Sequence, residues 1–201
     1  MKKSLGAVIL AAGKGSRMKS KKVNKVAMHL ANKPMILHTV ELLEELDIKK
    51  IVVVIGFAKE SVMSILGDRV LFADQKKRLG TAHAVSQAIK KLDAETENIL
   101  VLNGDDSAFY SKEIIERLIL KHFKSNSSFT FLTIEKENPF GLGRVVRNSK
   151  GEVVAVVEEK DASEKQTSKK NRYRYRSHQK RRYWKMDQKP YTQILQLSSR
   201  E

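Results

Sequence analysis

The sequence contains no cysteine, which excludes disulfide bonds and thiolate metal sites and fits a cytoplasmic protein. It also contains no run near the roughly 20 apolar residues of a membrane-spanning helix, so no membrane partner is expected. The first apolar run is about eight residues long and is followed at once by Lys14 and Arg17, so we interpret it as a strand and not as a signal peptide.

Acidic residues are scarce at the end of the chain. From Thr167 to Glu201 there are 11 Lys and Arg but 2 Asp and Glu, so this stretch carries +9 of the net +16. It is rich in Arg and Tyr and shows neither a helical nor a strand period. We therefore predict a domain over residues 1–166 and a basic, poorly ordered tail over residues 167–201.

Short apolar runs alternate with amphipathic helical patterns, which predicts an α/β fold with a mostly parallel sheet and helices on both faces. The predicted strands are Leu5–Ala11, Ile51–Ile55, Val70–Ala73, Ile99–Leu102 and Phe129–Ile134. The predicted helices are Pro34–Leu46, Ala58–Leu66, Gly80–Leu92 and Ser111–Phe123. A hairpin is expected where Val145–Arg147 and Val153–Glu158 flank a polar turn. Parallel strands place the loops that follow them at one edge of the sheet, where ligands bind.

A glycine-rich loop follows the first strand and reads L-A-A-G-K-G-S-R-M from Leu10 to Met18. Glycines let the backbone approach an anion, and successive N–H groups in such a loop form an anion-binding nest. Lys14 and Arg17 add positive charge. The spacing matches neither the Walker pattern nor the dinucleotide pattern G-x-G-x-x-G, and alone it also suits a solvated basic loop.

Four separated segments together resemble the sugar-phosphate nucleotidyltransferases, in particular the pyrophosphorylase domains of N-acetylglucosamine-1-phosphate uridyltransferases. The first is the glycine-rich loop with Lys25 downstream, and the second is Q-K-K-R-L-G-T-A-H-A from Gln75. The third is L-N-G-D, which ends at Asp105, and the fourth is F-G-L-G-R followed by V-E-E-K-D-A. The resemblance implies a Rossmann-like fold of the nucleotide-diphospho-sugar transferase type, over about Leu5 to Gln166.

The resemblance also implies a role for each matching residue. Arg17 and Lys25 would be catalytic because they neutralise the charge of the triphosphate. Asp105 would bind Mg²⁺, and Gly143 and Glu158 would bind the sugar. The implied nucleotide-binding residues are Leu10, Ala11, Ala12, Gly13, Lys14, Gly15, Ser16, Gln75, Gly80 and Thr81. His83 is expected to be a packed helix residue and neither a ligand nor a base.

Several positions depart from the family pattern. Ser16 stands where threonine is usual, and Asn24, preceded by one extra residue, stands where proline precedes the lysine. Asp106–Tyr110 replaces the usual x-Pro-Leu. After Gln166 the family's N-x-G strand and distal metal-binding asparagine are missing, as a truncation or a frame shift would produce. We therefore expect a fold that is incomplete at its C-terminal side, with an open sheet edge.

The expected reaction joins a nucleoside triphosphate, with UTP favoured, to a sugar 1-phosphate, with N-acetylglucosamine 1-phosphate favoured, and releases pyrophosphate. Two alternatives remain open. The chain could be a nucleotide-binding remnant without turnover, or it could bind nucleic acid through cationic and aromatic side chains of the tail such as Arg174 and Tyr175. The sequence carries no signal for the oligomeric state.

Overall fold

The computed structural model describes residues 5–15, 22–105, 107–125, 127–135, 143–151, 153–157, 176–178 and 192–196. It divides into two compact units. The first consists of Met1–Thr130 with Met186–Gln196, and the second consists of Phe131–Lys185 with Leu197–Glu201. Ser16, Arg17 and Glu158 lie outside the described residues, so their predicted roles stay predictions.

A six-stranded sheet organises the first unit, in the order β5-β4-β1-β6-β12-β7. Strand β1 pairs in parallel with β4 and β6, β4 pairs in parallel with β5, and β6 pairs in parallel with β12. The strands are β1 (Leu5–Ala11), β4 (Ile51–Ile55), β5 (Leu71–Asp74), β6 (Asn98–Asn103), β7 (Phe129–Leu132) and β12 (Thr192–Gln196). The predicted parallel sheet is confirmed.

Both faces of the sheet are covered. All five residues of β4 are buried, although alternate side chains of a strand point to opposite faces. The helices are α1 (Met35–Glu45), α2 (Lys59–Leu66), α3 (Thr81–Ile89) and α4 (Lys112–Ser125). Helix α3 packs Val85 and Ala88 against Val8, Val52 and their neighbours in the sheet. All four predicted helices are confirmed, with bounds that differ at their ends. Within the described residues, no helix has the length and apolar character needed to cross a membrane.

The strand register brings the carboxyl ends of four parallel strands to one edge of the sheet. Ala11 is level with Ile55, Ile55 with Asp74, and Leu10 with Asn103. The loops that follow β1, β4, β5 and β6 therefore start side by side. This edge is where the sequence motifs meet.

A short hairpin before α1 is absent from the sequence-based prediction. It consists of β2 (His29–Leu30) and β3 (Lys33–Pro34), joined by Ala31 and Asn32 with φ of 50° and 63°. Two successive residues with positive φ are typical of a tight hairpin turn, which usually contains glycine. Alanine at the first position hides this turn from a sequence pattern.

The second unit contains a four-stranded antiparallel sheet in the order β10-β9-β11-β8. Its strands are β8 (Ile134–Glu135), β9 (Gly143–Arg147), β10 (Val153–Val157) and β11 (Arg176–His178). The predicted hairpin is confirmed as β9 and β10. In its turn, the Gly151 N–H donates to the Asn148 carbonyl at 3.0 Å, and Gly151 has a φ of 81°.

Two strands come from the stretch for which no strand is predicted. Strand β11 pairs with β8 and β9, and β12 lies between β6 and β7 in the larger sheet. The larger sheet therefore has β5 and β7 as its edge strands, and β6 is paired on both sides, with β1 and β12. The separation of residues 167–201 as a poorly ordered tail stays a prediction for the rest of that stretch.

Candidate nucleotide site

The glycine-rich loop leaves the sheet at the end of β1. Ala12 is buried, whereas Gly13 and Lys14 are exposed. Gly15 has a φ of +57°, and a Cβ there would lie 3.1 Å from the Cβ of Lys25. Within the described part of the chain, no atom lies within 4 Å of the Cβ that Gly13 lacks. A side chain at position 15 would therefore be strained, whereas the space beside Gly13 is open within the described part of the chain.

Lys25 forms an ion pair with Asp105 at this edge. The Lys25 Nζ lies 3.0 Å from the Asp105 Oδ2, and the two side chains are 36% and 34% exposed. Asp105 follows β6, and Lys25 begins the 3₁₀ turn Lys25–Ala27. The structure therefore brings together the implied phosphate-binding cation and the implied metal-binding carboxylate, which are 80 residues apart in sequence.

Asn24, a departure from the family pattern, holds the lysine's turn in place. Its side chain is buried, and its Nδ2 donates to the carbonyls of Ala11 at 2.8 Å and Phe57 at 2.7 Å. Its Oδ1 accepts from the Val26 N–H at 3.2 Å, and its own N–H donates to the Ser61 Oγ at 3.0 Å. One amide therefore joins the ends of β1 and β4 to the turn, a role that sequence reasoning missed.

Gly104 places Asp105 against the core. Its N–H donates to the Leu10 carbonyl at 3.1 Å. A Cβ at this position would lie 3.1 to 3.3 Å from side-chain carbons of Val26, Ile36 and Ile9. Because those neighbours are packed core groups, glycine lets the loop after β6 approach the glycine-rich loop closely.

Ser107 fixes the other side of the Asp105 turn. It is fully buried, and its Oγ donates to the Asn103 carbonyl at 2.6 Å. Because that hydroxyl proton is used, the neighbouring Thr39 Oγ1 at 2.7 Å is the donor in their mutual hydrogen bond. Helix α1 is thereby tied to the turn. Ser107 lies in the segment that departs from the family's x-Pro-Leu, and it supplies hydrogen bonds in place of a rigid proline.

Gln75 follows β5 and makes three hydrogen bonds. Its main-chain N–H donates to the Ile55 carbonyl at 2.8 Å. Its Nε2 lies 2.9 Å from the Gly80 carbonyl oxygen and 3.1 Å from the His83 Nδ1. Gly80 has a φ of 103° at the start of α3, and Thr81 is the first residue of that helix. The implied base-reading residues Gln75, Gly80 and Thr81 are therefore together at one helix start.

An ion pair supports the end of β5 next to Gln75. The Lys59 Nζ, at the start of α2, lies 2.7 Å from the Asp74 Oδ2. This hydrogen bond, with the charge attraction of the carboxylate, raises the pKa of Lys59 above its ordinary value. Asp74 is therefore engaged in holding two elements together.

A divalent cation fits this site through one protein carboxylate. Among the described residues, no group of three or more His, Asp or Glu side chains could hold a metal ion by itself. Mg²⁺ is usually bound through one or two carboxylates with substrate phosphates and water. Asp105, beside an exposed glycine-rich loop, suits that mode.

Gly143, an implied sugar-binding residue, is buried as the first residue of β9 in the second unit.

Comparison with known proteins decides the family. The model of the nucleotidyl transferase family matches residues 6–194, which extends past Gln166. The chain belongs to the nucleotidyl transferase family. This confirms the resemblance drawn from the four motifs. Enzymes of the family bind nucleoside triphosphates and sugar phosphates and use a divalent metal.

Similar proteins include two described as bifunctional protein GlmU. The one from Oceanobacillus iheyensis is 45% identical over 158 residues, which is 79% of this chain and 34% of that protein. The one from Bacillus cereus strain AH187 is 45% identical over 160 residues, or 80% and 34%. The chain therefore spans about one third of the length of these nucleotidyl transferase relatives.

Two solved structures share the fold. One, from Bacillus anthracis, is described as a glucose-1-phosphate thymidylyltransferase in complex with a sucrose. It has a TM-score of 0.66 and 22% identity over 87% of this chain and 69% of that one. The other is HddC from Yersinia pseudotuberculosis complexed with GMP-PN, with a TM-score of 0.61 and 23% identity over 76% and 68%.

Proposed function

We propose that this nucleotidyl transferase takes UTP and N-acetylglucosamine 1-phosphate and forms the nucleotide sugar and pyrophosphate. A phosphate oxygen of the sugar phosphate attacks the α-phosphorus of the nucleotide. The bond from that phosphorus to the oxygen bridging the α- and β-phosphates breaks, and pyrophosphate leaves with the bonding electron pair. No covalent enzyme intermediate is needed, so the protein acts by positioning and charge stabilisation.

The observation that carries this proposal is the Lys25–Asp105 pair beside the open space at Gly13. Lys25 would leave its 3.0 Å contact with Asp105 to meet a phosphate oxygen. Exposed ion pairs of this kind contribute only about 0–1 kcal/mol, so the exchange of partners costs little. Arg17 would add a second positive charge from the same loop.

Asp105 would hold Mg²⁺ together with the nucleotide phosphates. When bound there, the ion would neutralise charge on the phosphates and stabilise the departing pyrophosphate. The other implied nucleotide-binding residues form the loop, Leu10 to Ser16, and the base-reading segment, Gln75, Gly80 and Thr81. Gly143 and Glu158 are proposed to contact the sugar.

A pyrophosphate-release assay tests the proposal, with UTP, CTP, GTP and dTTP each combined with several sugar 1-phosphates, with and without Mg²⁺. We expect release with UTP and N-acetylglucosamine 1-phosphate, and its loss in Lys25→Met. Lys33→Met is the matched control, because Lys33, like Lys25, is 36% exposed and lies in an ion pair, with Glu41. Equal loss in both variants, or release without Mg²⁺, would contradict the assignment.

Two binding measurements separate the alternatives. UTP binding by calorimetry without any pyrophosphate release would identify a nucleotide-binding remnant. RNA binding that disappears when Arg174 and Tyr175 are replaced by alanine, and that weakens with salt, would identify a nucleic-acid-binding tail. The cytoplasmic location stays a prediction.

A further inference from the structure

The amide nitrogen of Gln75 already has two acceptors inside the protein. Its Nε2 lies 2.9 Å from the Gly80 carbonyl oxygen and 3.1 Å from the His83 Nδ1. A primary amide nitrogen carries two hydrogens, so both are used. None of the hydrogen bonds of Gln75 within the described part of the chain uses its amide oxygen. An outside partner therefore meets an acceptor, and not the donor and acceptor that a free glutamine offers.

Chemistry fixes the orientation of this amide. The atom facing the Gly80 carbonyl must be the nitrogen, because two carbonyl oxygens at 2.9 Å would repel each other. The His83 Nδ1 must then accept, which puts the proton of the neutral imidazole on Nε2. That nitrogen lies 3.3 Å from the Gln87 Nε2, which is itself a donor, so the Gln87 side chain must turn its oxygen toward His83 to accept the proton.

We propose that His83 is a positioning residue that keeps the Gln75 amide oxygen as the group presented to the base. An acceptor at this place favours a base with a ring N–H, such as uracil, over cytosine, whose corresponding ring nitrogen is itself an acceptor. This inference rests on the proposed function, because it assumes that Gln75 meets the base.

Loss of the His83 acceptor removes one of the two bonds that hold the amide in place. Held by the Gly80 carbonyl alone, the amide can turn and present an N–H to the base. Cytosine would no longer face only a lone pair. The expected consequence is weaker discrimination between the two bases, and not a loss of nucleotide binding as a whole.

Three variants of the full chain isolate the Nδ1 atom. His83→Asn places an amide group near the position of Nδ1, where its oxygen can accept from Gln75. His83→Gln places its amide near the position of Nε2, next to Gln87, and His83→Leu removes both polar groups. Thermal melting of each variant checks that it is folded.

The first measurement is the Kd of UTP and of CTP by calorimetry with Mg²⁺. We expect the unmodified chain and His83→Asn to prefer UTP. The preference should fall about fivefold to tenfold in His83→Gln and His83→Leu, the factor that one hydrogen bond contributes. In turnover, KM for UTP should rise with kcat little changed, because the base is far from the reacting phosphorus.

The second measurement needs no nucleotide. Nitrogen-15 NMR of the imidazole should show His83 with its proton on Nε2. A proton on Nδ1, or an unchanged UTP preference in folded His83→Leu, overturns this inference and leaves the proposed function intact. Failure of the unmodified chain to bind any nucleotide overturns the proposed function, and this inference with it.

Discussion

On the phosphate side of the candidate site, defined by Gly13, Gly15, Lys25 and Asp105, the charged groups are about one third exposed and are paired with each other. On the base side, defined by Gln75, Gly80 and His83, the amide nitrogen is bonded to two internal acceptors. A ligand can therefore rearrange the charges of the phosphate side, whereas the polarity of the base side is set before a ligand arrives.

The two sides also differ in which groups hold their ligand-facing side chains in place. Buried Asn24, through hydrogen bonds to main-chain atoms, holds the turn that carries Lys25 on the phosphate side. The Gly80 carbonyl and the His83 side chain of α3 position the amide of the base side directly. Replacing a member of the phosphate-side ion pair should thus cost activity and little stability, whereas replacing Asn24 should cost stability. On the base side, a change at His83 should alter the preference between bases.

The largest expected effect on activity is that of Asp105→Asn. It should abolish Mg²⁺-dependent pyrophosphate release, because the carboxylate that would hold the metal is lost. The free energy of unfolding should fall by less than about 1 kcal/mol, as is usual for a partly exposed ion pair. Asp93→Asn, which removes another ion-paired carboxylate, is the control and should retain activity. Full activity of Asp105→Asn would show that the metal is held elsewhere.

The largest expected effect on stability is that of Asn24→Ala. It leaves the carbonyls of Ala11 and Phe57 and the N–H of Val26 without their side-chain partner, at a cost of about 3 kcal/mol. Urea unfolding gives the value. Asn148→Ala, which removes the acceptor of the exposed Lys150 N–H at 3.1 Å, should cost less than about 1 kcal/mol, because water can replace that partner. Similar losses in the two variants would show that Asn24 is not part of the framework.

A paired glycine experiment separates framework from ligand contact. Gly15→Ala should lower the free energy of unfolding by about 1–2 kcal/mol, because its φ of +57° is left-handed. Gly13→Ala should leave thermal stability unchanged and weaken UTP binding measured by calorimetry, since a methyl group would fill the open space. Loss of stability in Gly13→Ala, with UTP binding retained, would assign this glycine to the fold.

The smallest expected effect concerns the ion pair beside Gln75. Because Asp74 raises the pKa of Lys59, the pair stabilises the fold fully below the ordinary pKa of lysine, 10.5, and this contribution is lost as the pH rises through the raised value. Lys59→Met should therefore be less stable than the unmodified chain near neutral pH. The difference should disappear above the raised pKa, as urea unfolding over a pH series can measure. A difference that persists there would point to packing and not to charge.

Periodicity and motif order were sufficient to predict five of the six strands of the larger sheet and its four helices, whereas β12 was missed. The bounds of β1 and β4 coincide with the prediction because both strands are continuous apolar runs buried on two faces. The meeting of Lys25 and Asp105 follows from the same logic, since parallel strands deliver their loops to one edge.

The local hydrogen bonds of the site and one tight turn could not be predicted from the sequence. The hairpin at Ala31 and Asn32 depends on positive φ without a glycine to signal it. The role of Asn24 depends on carbonyls from two loops that come together only in the fold. His83 was predicted to be packed in its helix, and nothing in its spacing reveals the bond to Gln75, which depends on the direction of two side chains.

The open space beside Gly13 also bears on the history of the chain. A change at Gly15 would cost stability, because its left-handed φ and the nearby Cβ of Lys25 disfavour any side chain. Gly13 has no such requirement among the described residues, so selection for nucleotide binding alone would preserve it. In a lineage released from catalysis, position 13 should drift to alanine or serine long before position 15 changes.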